Sequence, residues 1–343
     1  MDPIITFAAI IILILATGIL KDWRNSAPPH YSYSLVIACR DEEDNLPTLF
    51  KSLQEIEYPI SDYEIIIIDH ASRDNSLELI KKFCNSRTNR QYLHLSDKDN
   101  EYKGKKYALQ KGVEIAQYEI VLFTDADCLP PADWLEEMNY YLSENTGMIV
   151  GYSPEKNKSD FRNFSQLMTA SVYCSTIGLG LPFSSNGRNL AVRKSVFKQV
   201  AGFNKIKEHP CGEDKQLLQL IDKTKYQIAY NARNKVYTKP NTKDYVNQQK
   251  RRYGQFGISS PFYKFASLLI FLFYIYLPLR LILGANFINF FLYFFPFMIF
   301  WAFSLQKHRE KFRLKHILYL LIYPYYLIFF SLYGMISKWE WKA

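Results

Sequence analysis

Apolar and polar positions are unevenly distributed along this chain: long uncharged runs stand at its two ends and the charges gather between them. From Pro3 to Leu20 there is no charge. As a helix rising about 1.5 Å per residue, that run reaches roughly 27 Å, close to the hydrocarbon thickness of a bilayer. Asp2 precedes it and Lys21 and Arg24 follow, the reverse of a cleaved signal peptide, so it reads as an uncleaved anchor with its N-terminus outside. Between Phe265 and Leu305 the only formal charge is Arg280, near a span end where it can snorkel. That run predicts two spans hinged near Gly284, Ala285 and Asn286. A fourth uncharged run covers Ile317 to Ile336. Before it, KHREKFRLKH (Lys307 to His316) carries five Lys or Arg against one Glu, which assigns it to the cytoplasmic side. With four spans, residues 21 to 264 are then cytoplasmic as well.

The middle reads differently. SLVIAC (34–39) and EIIIID (64–69) are short apolar runs of the kind that form buried parallel strands, and each ends in charge. Leu46, Leu49, Phe50 and Leu53 follow the first with helical spacing, and Leu77, Leu79, Ile80 and Phe83 follow the second. QYLHL (91–95), a helix over Tyr107 to Ile115 and EIVLFTD (119–125) continue the alternation, which predicts a doubly wound, mostly parallel α/β sheet. Beyond Gly151 the pattern loosens: a helix with a Ser- and Thr-rich face over Phe161 to Gly180, a turn at Asn186 and Gly187 leading to a short strand, and a helix opened by Gly212, Glu213 and Asp214.

Composition sharpens this only in part. With 343 residues and 48% of them hydrophobic, the chain has ample material for a core. The net charge of +9 raises nucleic acid, but the basic residues concentrate beside the apolar runs, as in KRRY (250–253), so attraction to anionic lipid is the simpler reading and no nucleic acid is expected. Five widely spaced cysteines with no C-x-x-C pair read as reduced thiols without structural zinc.

In doubly wound sheets, ligands collect at the carboxyl ends of strands. Arg40, Asp41 and Glu42, then Asp69, then Asp125 and Asp127 all fall at such ends. Any one of these carboxylates is ordinarily a helix cap. Several on successive strands point instead to one shared cleft.

IACRDEEDNL, DHASRDNS, KGKKYALQKG, FTDADCLPPADWL, GEDKQLL and QQKRRYGQ, in this order, resemble the family 2 glycosyltransferases, especially membrane members such as the cellulose, hyaluronan and ceramide glucosyltransferase-like synthases. The resemblance runs from about Ser34 to Gly254. It implies a GT-A fold, a Rossmann-like nucleotide-binding domain, and this organisation: an N-terminal anchor over 1–24, a cytoplasmic GT-A domain over 31–240, an interfacial segment over 241–263 carrying a Q-x-x-R-Y motif, and a C-terminal region of three spans over 264–343.

The resemblance also implies roles. Arg40, Glu42, Asp69, Lys105, Asp125 and Arg252 bind the nucleotide sugar, with Asp69 on the base or ribose and Lys105 and Arg252 near the diphosphate. His70 replaces the family's second Asp, and Asp74 and Ser76 fit the cap of the next helix. Asp125 and Asp127 hold Mg²⁺ or Mn²⁺, hard cations that prefer carboxylate oxygens; as i, i+2 residues on a strand, the two side chains point the same way. Asp214 is the base that takes the acceptor's proton. Glu213, Gln249, Tyr253 and the 161–189 segment ending at Asn189 meet the acceptor. The donor expected is a UDP-sugar, and the acceptor a lipid, lipid-linked or polysaccharide hydroxyl at the cytoplasmic face of a cell membrane, with membrane lipids as further partners.

Tyr253 stands where the processive synthases carry Trp, which counts against processive polymer synthesis without excluding it; a processive polysaccharide synthase is the alternative reading. A membrane-anchored nucleotidyltransferase would share the sheet and acidic site, but the loop after the first strand lacks the Gly-rich phosphate cradle. A transporter should bury paired ionisable residues in its spans, and only Arg280 is a candidate.

Overall fold

The computed structural model describes residues 2–96, 104–156, 160–208, 212–240, 245–253, 261–283 and 287–336. They divide into two units, one of residues 22–157 with 184–239, the other of 1–21, 158–183 and 240–343.

The first unit is built on β1 (Tyr33–Cys39), β2 (Tyr63–His70), β3 (Arg90–Leu95), β4 (Ile120–Asp125), β6 (Thr146–Gly151), β7 (Leu190–Arg193) and β8 (Gln227–Asn231), which form one sheet in the order β3-β2-β1-β4-β7-β6-β8. The pairs β3/β2, β2/β1, β1/β4 and β6/β8 are parallel, and β7 runs antiparallel to both neighbours. β2 is buried along its whole length, as a central parallel strand covered on both faces must be, which is why its sequence is a continuous apolar run rather than an alternation. A small second sheet pairs β5 (Cys128–Leu129) with β9 (Tyr237–Thr238).

Helices cover both faces: α2 (Leu46–Gln54), α3 (Ser76–Cys84), α4 (Lys105–Ile115), α5 (Trp134–Asn139), α7 (Lys194–Gln199) and α8 (Glu213–Ile221). The apolar stripes read from the sequence are the ones buried: Leu46, Leu49, Phe50 and Leu53 on α2, with Phe50 stacked on Phe83 of α3 at 4.0 Å. Gly112 lets α4 lie close on β1, because a Cβ there would come within 2.3 Å of Val36 Cγ1. The strand order reverses between β1 and β4, the switch point where such sheets open a crevice at the strands' carboxyl ends.

The second unit gathers α1 (Pro3–Leu20), α6 (Asp160–Gly178), α9 (Tyr245–Tyr253), α10 (Pro261–Leu283), α11 (Phe287–His308) and α12 (Lys315–Ile336). Among the described residues, Pro3–Leu20, Phe287–His308 and Lys315–Gly334 are long and apolar enough to cross a membrane, and the apolar part of α10 covers Ser267–Arg280. The hinge expected at 284–286 lies outside the described residues. α1 and α6 meet through glycines: a Cβ on Gly178 would fall 1.9 Å from the Gly18 carbonyl oxygen, and Ser175 Oγ donates to the Leu15 carbonyl at 2.6 Å. Small residues permit such close approach of two helices.

Arg280 has a partner. Its Nε donates to Asp2 Oδ2 at 2.8 Å, and the Asp2 backbone N–H donates to Asn289 Oδ1 at 3.0 Å, so one polar knot ties α1, α10 and α11. Local sequence did not show this pair, because its members lie 278 residues apart in the chain. The α11–α12 loop is fixed to α6, with Arg313 and Lys315 both paired to Asp160.

Candidate active site

Asp125 closes β4, opposite Ala38 on β1, and Asp69, one residue before the end of β2, lies opposite Cys39 on β1, so both carboxylates stand at the carboxyl edge of the sheet. The loops after β1 and β2 are clipped together. Glu42 N–H donates to Ser76 Oγ at 2.8 Å, Glu43 N–H to Asp74 Oδ2 at 3.0 Å, and Arg73 N–H to Asp41 Oδ1 at 2.7 Å. Asp41 and Ala71, just past the two strands, both hold positive φ (52° and 54°), a conformation costly for side chains with a Cβ and typical of loops shaped around a ligand. Asp74 also accepts from Ser76 N–H at 2.9 Å at the start of α3, the capping role expected of it. Asp69 is no cap: it is fully buried and bonded to His94. Arg40 directly follows β1.

Gly104 (φ 91°) turns the chain into α4 so that its first residue, Lys105, pairs with Asp125. Burial pulls the Lys105 ammonium down, but Asp125 and then Glu213 outweigh it and hold the pKa raised. The lysine is a permanent cation among carboxylates.

The acidic pair does not lie on one strand. β4 ends at Asp125, and Ala126 and Asp127 form a turn into β5, so the strand alternation expected to align the two side chains stops between them. They still share a field: Asp127 is pushed above the usual carboxylate range by burial and then by Asp125, while Arg188 opposes the shift. Arg188 is braced by Asn186 Oδ1, which accepts from its Nε at 3.2 Å, and by the Ser153 carbonyl at 3.3 Å. Sequence reading passed over this cation; its only signal was a lone Arg in the SSNGRNL turn.

Asp214 lies on the first turn of α8 after Gly212, whose φ of 73° makes the bend. Its Oδ2 accepts from Gly187 N–H at 3.0 Å and its Oδ1 from Lys215 N–H at 2.8 Å. Burial and the neighbouring Glu213 raise its pKa to about 6, against those two N–H donors and Lys105. Lys105 is thus felt by both the Asp125 and the Asp214 carboxylates.

Asn189 is placed elsewhere than expected. It is fully buried, its Oδ1 accepts from Trp134 Nε1 at 3.0 Å, and its Nδ2 donates to the carbonyls of Tyr152 (3.1 Å) and Asn234 (3.0 Å). With its amide spent on three core partners, it pins the loop that carries Gly187 and Arg188 and offers nothing to an acceptor. Gln249 is buried on α9, which rests on α12 through Tyr245 Oη to Tyr326 Oη at 2.6 Å. The side chains of Arg252 and Tyr253 lie outside the described residues, as do His209 and Cys211.

Among the described residues no three His, Cys, Asp or Glu side chains cluster to hold a metal. Two carboxylates suffice for an ion that a diphosphate also coordinates, since Mg²⁺ takes one or two carboxylates plus substrate phosphates. Asp125 and Asp127, with burial and then Asp125 raising the proton affinity of Asp127, fit that demand.

Residues 34–202 match the model of glycosyl transferase family 2, and residues 120–338 that of glycosyl transferase family group 2. The chain belongs to the family 2 glycosyltransferases. Among its relatives, the glycosyltransferase AglE of Haloferax volcanii is 27% identical over 176 residues, 50% of this chain and 55% of that one. The poly-beta-1,6-N-acetyl-D-glucosamine synthase of Staphylococcus aureus (strain MSSA476) is 30% identical over 151 residues, 42% of this chain and 33% of the synthase. The match thus spans about half or less of these curated relatives. A family fold is also seen in the mannosyltransferase PcManGT from Pyrobaculum calidifontis, solved with GDP-Man and Mn²⁺: TM-score 0.62 at 16% identity, covering 96% of this chain and 95% of that one. The mostly parallel sheet is the GT-A fold.

Proposed function

We propose that this chain is a membrane-bound inverting glycosyltransferase that moves a sugar from a nucleoside diphosphate donor, a UDP-sugar in first place, to the hydroxyl of a lipid, lipid-linked or glycan acceptor. The observation that carries it is the set of carboxylates gathered about Lys105: Asp125, which pairs with it and is followed by Asp127, and Asp214, oriented by two N–H donors and raised to about 6.

Asp214 takes the proton as the acceptor oxygen bonds to the anomeric carbon and the bond to the diphosphate breaks on the opposite face, its electrons leaving with the nucleotide. A carboxylate with a pKa near neutrality suits that transfer, and burial with Glu213 keeps it there. The N–H groups of Gly187 and Lys215 hold the carboxylate in place, so that no reorganisation is needed when the proton moves. Lys105 stabilises charge on the departing diphosphate. Asp125 and Asp127 would hold a divalent ion, in keeping with the Mn²⁺ of the mannosyltransferase, and when bound it would supply Lewis-acid stabilisation of the same charge. Roles for Arg252 and Tyr253 rest on the Q-x-x-R-Y motif alone.

The membrane reading is supported by the three spanning-length helices and by α10 as a fourth crossing. The Asp2–Arg280 pair is in keeping with the first helix starting and α10 ending on one face, and the basic 307–316 loop with the other face being cytoplasmic. The test is purified protein in detergent given a panel of nucleotide sugars, Mn²⁺ and candidate acceptors. Release of free nucleoside diphosphate with one donor is the expected result, and no release with any donor overturns the proposal.

A further inference from the structure

β2 and β3 run parallel and pair Asp69 with His94 across the strands. His94 Nδ1 lies 2.7 Å from Asp69 Oδ2. An ionised carboxylate only accepts, so the proton of this bond belongs to Nδ1 and His94 is the donor. The Asp69 side chain is 0% exposed and that of His94 44%. The other oxygen, Asp69 Oδ1, is buried and has no hydrogen-bond partner among the described residues. A buried acceptor left unpaired is costly, and no described residue makes use of it. It sits at the carboxyl edge of the sheet, two strand spacings from Asp125, about 10 Å, near the switch point.

We propose that His94 is a positioning residue for the nucleoside of the donor: by occupying Oδ2 it fixes the Asp69 carboxylate so that Oδ1 meets a base bearing a ring N–H. This rests on the nucleoside diphosphate reading above. Uracil N3–H and guanine N1–H offer such a donor. Cytosine N3 and adenine N1 carry lone pairs there and would face the carboxylate oxygen unpaired, a penalty rather than a lost bonus. The His94 bond keeps the carboxylate from turning when a base meets Oδ1. Sequence reading missed His94 because it looks like one polar residue in an edge strand.

The test is calorimetric binding of UDP, GDP, CDP, ADP and inorganic pyrophosphate to the full chain in detergent. Wild type should bind UDP or GDP about ten-fold or more tightly than CDP and ADP. His94→Ala should weaken the preferred nucleotide about ten-fold, narrow the selectivity and raise the donor KM with kcat held, while pyrophosphate binds as before. His94→Asn, whose amide N–H takes the place of Nδ1–H, should restore both. An alanine variant that binds like wild type, one that loses pyrophosphate equally, or an asparagine variant that fails to restore overturns the assignment. A wild type that binds no nucleoside diphosphate overturns the transfer reading with it, whereas normal wild-type binding matched by the alanine variant removes only the role of His94.

Discussion

Gly187 donates its backbone N–H to Asp214 Oδ2 at 3.0 Å across 27 residues of chain, and so fixes the carboxylate proposed to take the acceptor's proton. The same carboxylate is raised to about 6 by burial and by Glu213. The base works only when ionised, so kcat/KM should fall about ten-fold per pH unit as pH drops through this value. Glu213→Gln removes the neighbouring negative charge and should move that acid limb to lower pH. A pH–rate profile of both proteins checks the shift, and a limb unmoved by Glu213→Gln contradicts it.

Raising Asp214 also bears on stability. Its folded pKa, about 6, lies above the ordinary 3.8, so ionising it costs the folded state; the cost is absent below the ordinary value and complete above the folded one. Asp214→Asn should therefore raise Tm at pH 7.5, with the gain fading as pH falls toward 4. Thermal melts across that range measure it.

Lys105 and the acidic pair form the donor side. Lys105→Met should raise the donor KM, since it strips the cation paired with Asp125. Chelation with EDTA should abolish transfer and added Mn²⁺ should restore it; Asp127→Asn should lower kcat about a hundred-fold, with a higher Mn²⁺ requirement. Undiminished turnover in EDTA argues for charge neutralisation by Lys105 and Arg188 alone.

Asn189→Ala removes an amide that joins Trp134, Tyr152 and Asn234 in the core. Leaving those groups unpaired should cost about 2–4 kcal/mol, read as a lowered midpoint in denaturant titration. Normal stability with an altered acceptor KM would return Asn189 to the acceptor site.

What could be read from sequence follows from physical range. β1 and β2 were legible because strands buried on both faces become unbroken apolar runs, and α2 and α3 because their buried stripes repeat at helical spacing. Carboxylates at strand ends marked the cleft. Local alternation misled at Asp127, where the chain turns after Asp125, since a two-residue spacing does not reveal where a strand stops. Asn189, Arg280 and His94 were misjudged or missed because their partners are far away: Trp134 and Tyr152, Asp2, and Asp69 on the neighbouring strand. A buried polar side chain and a site residue look alike until those partners are known.

The most direct measurement is transfer and donor binding in Asp214→Asn, side by side with wild type. The account predicts loss of turnover by about a hundred-fold or more, the scale of a lost general base, with nucleoside diphosphate affinity within about three-fold of wild type. Turnover that survives the substitution contradicts it.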